Sequence, residues 1–147
     1  MSNVGRQRIS ARKTTASIHP EWTIHEGGYA TKKILVIDDE KYALELIDIY
    51  LRDEGFDVLT AYTEQAAIKT FEQEDPDLVI MDIQMLGTDT LGLLRRIKEK
   101  RHMLPVITHT GFDYRPELAD WKNETNAFVV KSSDLDELIN QVNKLLT

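Results

Sequence analysis

From Lys32 onward the chain alternates short apolar runs with amphipathic stretches, five of each. The runs are Ile34–Asp38, Asp57–Ala61, Leu78–Met81, Val106–Thr110 and Ala127–Val130. Ile34-Leu35-Val36-Ile37 and Leu78-Val79-Ile80-Met81 are continuous rather than alternating, the signature of strands covered on both faces. Between the runs, apolar residues return at helical spacing. Ala43, Ile47, Tyr50 and Leu51 form one stripe; Leu135, Leu138, Ile139, Val142 and Leu146 form another. Thr63 and Ser133 stand at N-cap positions, and Gly55 stands where a helix ends on glycine. Strict β-α alternation with short connections predicts an α/β protein, a parallel sheet between two layers of helices. In such sheets ligands bind beyond the carboxyl ends of the strands, near the point where strand order reverses.

Residues 1–30 carry neither period, and Gly27-Gly28 closes them like a hinge. The chain therefore divides into a basic N-terminal extension, 1–31, expected to be flexible, and one domain, 32–147. Within the extension, Ile18–His25 is richer in aromatic and histidine residues than plain linker, which marks it as a piece able to dock. Residues 1–33 hold Arg6, Arg8, Arg12, Lys13, Lys32 and Lys33 against Glu21 and Glu26, a net of +4. The whole chain carries −7, so the remaining 114 residues carry −11. A body this acidic repels nucleic acid. No apolar run is long enough to cross a bilayer, and no cysteine is present for disulfides or thiolate metal sites. A soluble cytoplasmic protein is expected.

The informative residues lie at the strand ends. The first run ends in Asp38-Asp39-Glu40, the third leads into Asp82, the fourth ends at Thr110-Gly111 and the fifth at Lys131. Two carboxylates about 4 Å apart repel by roughly 4 kcal/mol at an effective dielectric of ~20. Gathering Asp38, Asp39 and Asp82 thus calls for a counter-charge, and a hard divalent cation such as Mg2+, which takes oxygen ligands, supplies one.

Four stretches in this order resemble the receiver domain of bacterial response regulators, the CheY-like family. They are Lys33–Glu40, Asp77–Met85, Pro105–Gly111 and Ala127–Lys131. The resemblance spans residues 32–147 and implies a flavodoxin-like sheet of order 2-1-3-4-5, the family the order is commonly illustrated with. It implies that Asp82 attacks phosphorus and becomes an aspartyl-phosphate. Asp39, Asp82 and the Gln84 backbone carbonyl would ligate Mg2+, with Asp38 acting directly or through water, while Lys131 and Thr110 stabilise the phosphoryl group. Thr110 and Phe128 would couple phosphorylation to a surface made by the last helices and strand. The implied donor is a histidine kinase or a histidine phosphotransfer protein. Output would pass through an unidentified protein, through phosphorylation-dependent homodimerisation, or by handing the phosphoryl group onward. No output domain, and no enzyme activity beyond slow self-dephosphorylation, is expected.

The chain departs from that pattern in places. Leu86 follows Met85 where the family usually has proline, and Asp89-Thr90 replaces Asp-Gly, so a looser loop after Asp82 is expected. Ser132 replaces the proline after the lysine. A cis Lys131–Ser132 bond, costing ~3 kcal/mol, is expected if Lys131 is still to reach the phosphate. Phe112 is bulky and apolar at a position that influences hydrolysis, which suggests a slow loss of phosphoryl.

Plainer readings accompany these residues. The acids and Lys131 could form a structural ion cluster, and His109 reads as a packed strand residue. Arg95–Arg101 reads as a solvated helix face; Trp121 is core or, if exposed, a partner surface. A haloacid-dehalogenase-type phosphatase would need Asp-x-Asp after the first strand, whereas Asp38 and Asp39 are adjacent. A nucleotide or flavin binder would need a glycine-rich loop, and none follows any strand. A phosphorylation-independent module with a vestigial site is a third class, against which the complete Asp/Asp/Asp/Thr/Lys set argues.

Overall fold

A computed structural model describes residues 31–147. The expectations for residues 1–30 lie outside them. The elements run β1 (Lys33–Ile37), α1 (Lys41–Asp53), β2 (Asp57–Ala61), α2 (Glu64–Glu74), β3 (Leu78–Met81), α3 (Thr90–Lys100), β4 (Val106–Thr110), α4 (Ala119–Glu124), β5 (Ala127–Val130) and α5 (Asp136–Leu146). A 3-10 turn, Pro116–Leu118, leads into α4. All five strands are parallel, in the order β2-β1-β3-β4-β5. Both the alternating architecture and the strand order agree with the sequence reading; only β1 starts and stops one residue early.

Side-chain alternation along the strands sorts the core into two layers. Leu35, Ile37, Val79, Met81 and Val106 pack against Ala67, Phe71, Leu93, Leu94, Ile97 and Trp121, on the side of α2, α3 and α4. Ile34, Val36, Leu78, Ile80, Ile107 and Val129 pack against Leu44, Ile47, Leu51, Leu138 and Val142, on the side of α1 and α5. Trp121 is core. The same alternation, carried past the strand ends, sends residues 38, 82 and 131 toward the α1/α5 side.

The local signals hold unevenly. The Thr63 hydroxyl accepts the Ala66 amide at 3.1 Å and caps α2. Gly55 has φ +99°, and Gly55 N–H donates to Arg52 while Phe56 N–H donates to Leu51, closing α1 in a Schellman turn. Ser133, however, does not cap α5. That helix begins at Asp136, and it is the Asp134 carboxylate that accepts the Asp136 amide. In α1 the buried stripe is Leu44, Ile47 and Leu51, while Tyr50 faces out. Tyr50 sits 80–100° around the helix from that seam, so its spacing fits the stripe's edge rather than its centre.

Candidate functional site at the carboxyl edge of the sheet

Pairing of Ile37 with Met81 puts the next residues, Asp38 and Asp82, side by side at the carboxyl ends of β1 and β3. This is the switch point, because β1 connects to β2 on one side while β3 leads away on the other. Asp38 is 2 % and Asp82 6 % exposed, so two carboxylates are nearly desolvated together. Lys131, one residue past β5, resolves the conflict. Its Nζ lies 2.7 Å from Asp38 Oδ2, 3.1 Å from Asp82 Oδ2 and 3.4 Å from Glu40 Oε1.

Burial pushes the Asp38 carboxyl up, and hydrogen bonds from Lys131 and from the Glu40 amide pull it back. For Lys131, burial is the largest influence and lowers its pKa. The hydrogen bonds and charges of Asp38 and Asp82 together outweigh it, and the ammonium ends well above its usual range. Lys131 is therefore a fixed cation at any ordinary pH.

Asp39 is turned differently. It is exposed, and its Oδ2 accepts the Leu86 amide at 3.0 Å, tying the β1–α1 loop to the loop after β3. Among the described residues no three acidic or histidine side chains stand close enough together to hold a metal ion as they are. The donor chemistry nevertheless suits a hard cation: the Asp38, Asp39 and Asp82 carboxylates and the Gln84 carbonyl offer only oxygen. Lys131 Nζ already occupies, as a stand-in cation, the place between two of them. Gln84 N–H donates to Asp82 Oδ1 at 3.1 Å, which orients the carboxylate within the loop.

That loop is well held despite its departures from the family pattern. Thr88 N–H donates to Met85, the Thr90 hydroxyl donates to the Ile83 carbonyl, and Asp89 caps α3 through the Gly92 amide at 3.0 Å. Gly87 takes φ +73°, which leaves Leu86 93 % exposed at the tip.

Thr110 and Phe128 lie on the other face of the sheet. Thr110 is fully buried and its Oγ1 has no hydrogen-bond partner, an uncommon condition that costs about 1–3 kcal/mol. Its carbonyl accepts the Lys131 amide at 2.6 Å, which fixes the lysine's backbone. Phe128 is partly buried against the α2/α3/α4 core and meets Tyr114 edge-on, the ring centres 5.9 Å apart.

No described peptide bond is cis, so the expectation for Lys131–Ser132 is corrected. Without proline the cis form costs about 3 kcal/mol, and the trans chain already delivers the ammonium to both carboxylates. Two features were missed in the sequence. Glu40 shares Lys131, a role its adjacency to Asp38-Asp39 could have suggested. The Asp39–Leu86 tie joins residues 47 apart and has no sequence signal. His109 is indeed a packed strand residue, 4 % exposed, but its Nδ1 also lacks a partner.

A doubly wound parallel sheet with paired acids and a lysine at its switch point defines a class of α/β proteins that handle charged groups at that edge. The chain belongs to the response regulator receiver domain family, whose model matches residues 34–143. It is similar to TrrA of Thermotoga maritima, solved in complex with Mg2+ and BeF. That match is 38 % identical, covers 78 % of this chain and 99 % of that one, and has a TM-score of 0.71. TrrA has also been solved in complex with the histidine kinase ThkA, there 37 % identical over 80 % of this chain and all of that one. CheY4 of Vibrio cholerae, 18 % identical with a TM-score of 0.74 over 79 % of this chain and 99 % of that one, shares the fold. Among curated proteins, the regulatory protein VanR of Enterococcus faecium is 37 % identical over 81 residues, 55 % of this chain. The match spans about a third of VanR's length (35 %). This is a receiver domain of a two-component response regulator.

Among the described residues no helix is long and apolar enough to cross a membrane.

Proposed function

We propose that Asp82 accepts a phosphoryl group from a histidine kinase or histidine phosphotransfer protein, with Mg2+ at Asp38, Asp39, Asp82 and the Gln84 carbonyl. The observation that carries this is the single Lys131 ammonium bridging Asp38 and Asp82 at the switch point. An Asp82 oxygen attacks phosphorus; a P–O bond forms as the P–N bond to the donor imidazole breaks, and the nitrogen keeps the electron pair. Bound Mg2+ would neutralise charge on the phosphoryl oxygens. Lys131 holds its positive charge throughout and can turn from the Asp82 carboxylate to a phosphoryl oxygen. The unpartnered Thr110 hydroxyl is free to donate to the new group, and Phe128, on the neighbouring strand and the same face of the sheet, would respond to that movement. The gain of one new hydrogen bond in one packing but not the other shifts the balance between two packings. The domain then acts through its own altered surface, as a switch in the cytoplasm rather than an enzyme; slow self-dephosphorylation is the most it does alone.

TrrA's complexes with Mg2+-BeF and with ThkA support both the cofactor and the donor class. Incubation with acetyl phosphate and Mg2+, followed by intact-mass analysis, tests the proposal. One added phosphoryl group is expected, absent without Mg2+ and absent in Asp82→Asn. Unchanged labelling in Asp82→Asn would overturn the assignment.

A further inference from the structure

Among the described residues three carboxylates share the Lys131 ammonium, and two of them, Asp38 and Asp82, are buried. The third is different. Glu40 Oε1 lies 3.4 Å from Nζ on a side chain that is 62 % exposed, so water solvates its charge with or without the lysine. Its backbone is fixed nonetheless. The Glu40 amide donates to Asp38 Oδ1 at 2.9 Å, and its carbonyl accepts the Leu44 amide at 3.1 Å. Glu40 is thus the N-cap residue of α1, a position that favours the short side chains of Ser, Thr, Asp and Asn. The Glu40 side chain makes no capping bond and reaches instead to a lysine 91 positions away in the chain. Attraction to the helix dipole rewards an acid here in any orientation, so it does not account for the aim at Lys131.

We propose that Glu40 is a positioning residue that competes with the incoming phosphoryl group for Lys131. The proposal rests on the reading of Asp82 as phospho-acceptor and deepens it. An ammonium has three N–H donors, and in the resting site they are divided among three carboxylates. With Asp38 and Asp82 engaged by the cation they would ligate, two of these claims weaken. Glu40 lies outside that ligand set and keeps both its charge and its hold. A phosphoryl oxygen must therefore draw Lys131 away from Glu40. An ion pair this exposed is weak, so the brake amounts to about fivefold in affinity rather than orders of magnitude.

A carboxylate beside the site also repels an anion through space, without any part for Lys131, and a double-mutant cycle separates the two effects. Beryllofluoride is titrated at saturating Mg2+ into the full-length chain, its Glu40→Gln and Lys131→Ala variants and the double variant, with the Asp82 amide followed by NMR. Glu40→Gln should tighten binding about three- to fivefold in the wild-type background and by less than about twofold beside Lys131→Ala. Equal tightening in both backgrounds would assign the effect to repulsion alone and overturn the proposal, as would no tightening in the first. A second measurement needs no lysine variant: in the beryllofluoride complex the Lys131 Cε resonance should differ between wild type and Glu40→Gln, and coincident resonances would refute any sharing there. If the wild type itself binds no beryllofluoride, the phospho-acceptor reading fails and this proposal falls with it.

Discussion

Lys131 Nζ stands 3.1 Å from Asp82 Oδ2, reaching from the end of the edge strand over β4 to the middle strand. The same ammonium holds Asp38 at 2.7 Å. Removing one partner of a buried ion pair leaves uncompensated charge and costs about 3–5 kcal/mol. Lys131 is itself 21 % exposed, so water recovers part of that cost. Lys131→Ala should therefore destabilise the metal-free protein by about 2 kcal/mol. Mg2+ should stabilise the variant more than the wild type, because it supplies the missing cation. Urea unfolding with EDTA and with Mg2+ measures both; an equal metal response in the two proteins would contradict this account of the site.

Thr110 is expected to separate stability from signalling. Its buried hydroxyl has no partner, so Thr110→Val should leave unphosphorylated stability unchanged or raise it by about 1 kcal/mol. The response to a phosphoryl mimic should suffer instead. With beryllofluoride and Mg2+, the chemical-shift changes expected at Phe128 and Tyr114 in the wild type should shrink in the variant. A variant that is clearly less stable, or that responds fully, would mean that the hydroxyl has another role.

Asp39 is expected to serve the cation more than the fold. Its side chain is exposed and its one described bond is to the Leu86 amide. Asp39→Asn keeps an acceptor for that amide and removes only the charge, so unfolding free energy should change by less than about 0.5 kcal/mol. Mg2+ affinity, read from Trp121 fluorescence or from NMR titration, should fall about tenfold or more, since Mg2+ depends on charged oxygen ligands. Unaltered affinity would remove Asp39 from the ligand set.

Much of this architecture was legible because it follows from periodicity. Continuous apolar runs such as Leu78–Met81 mark strands covered on both faces, and the parity of residues past each strand end decides which side chains share a pocket. Asp38 and Asp82 could thus be paired from the sequence, since both follow the last apolar residue of a central strand. What escaped depends on loop geometry. Ser133 looks like an N-cap, yet α5 starts only at Asp136, its N-cap position is Leu135 without a side-chain bond, and Asp134 accepts the Asp136 amide in a turn just ahead of the helix. The basic run Arg95–Arg101 reads as a solvated face. Arg95, Arg96, Glu99 and Lys100 are exposed while Ile97 is buried and Lys98 and Arg101 half-buried, and Arg95 pairs with Glu124 at 2.6 Å and Arg96 with Glu64 at 3.1 Å, across to α4 and α2. Such surface pairs are each worth up to about 1 kcal/mol, and composition alone cannot assign partners so far apart in the chain. The trans Lys131–Ser132 bond was misjudged because reach was assumed to need a kink, whereas the long lysine side chain spans the gap unaided.

His109 gives the molecule a pH dependence distinct from that of its carboxylates. Register pairing puts it beside Val129 on β5, on the α1/α5 side of the sheet below Lys131. Burial, reinforced by the positive charge of Lys131 and opposed by a smaller pull from Asp82, lowers its pKa from 6.5 to about 4. In the unfolded chain the imidazole takes up a proton near pH 6.5, while in the folded protein it stays neutral until about pH 4. Stability is thus full above pH 6.5 and is lost as pH falls toward 4, by about 3 kcal/mol at 1.36 kcal/mol per unit. The raised Asp38 pKa works in the opposite direction, because that carboxyl protonates in the folded state first. His109→Leu removes the imidazole and its unpartnered Nδ1 together, so the variant should be at least as stable as wild type at pH 7. Between pH 6.5 and 4 its stability should fall less steeply, the Asp38 contribution now less opposed. Urea midpoints taken at half-unit steps through that window decide the matter: parallel curves for the two proteins would show that His109 does not set the acid limb.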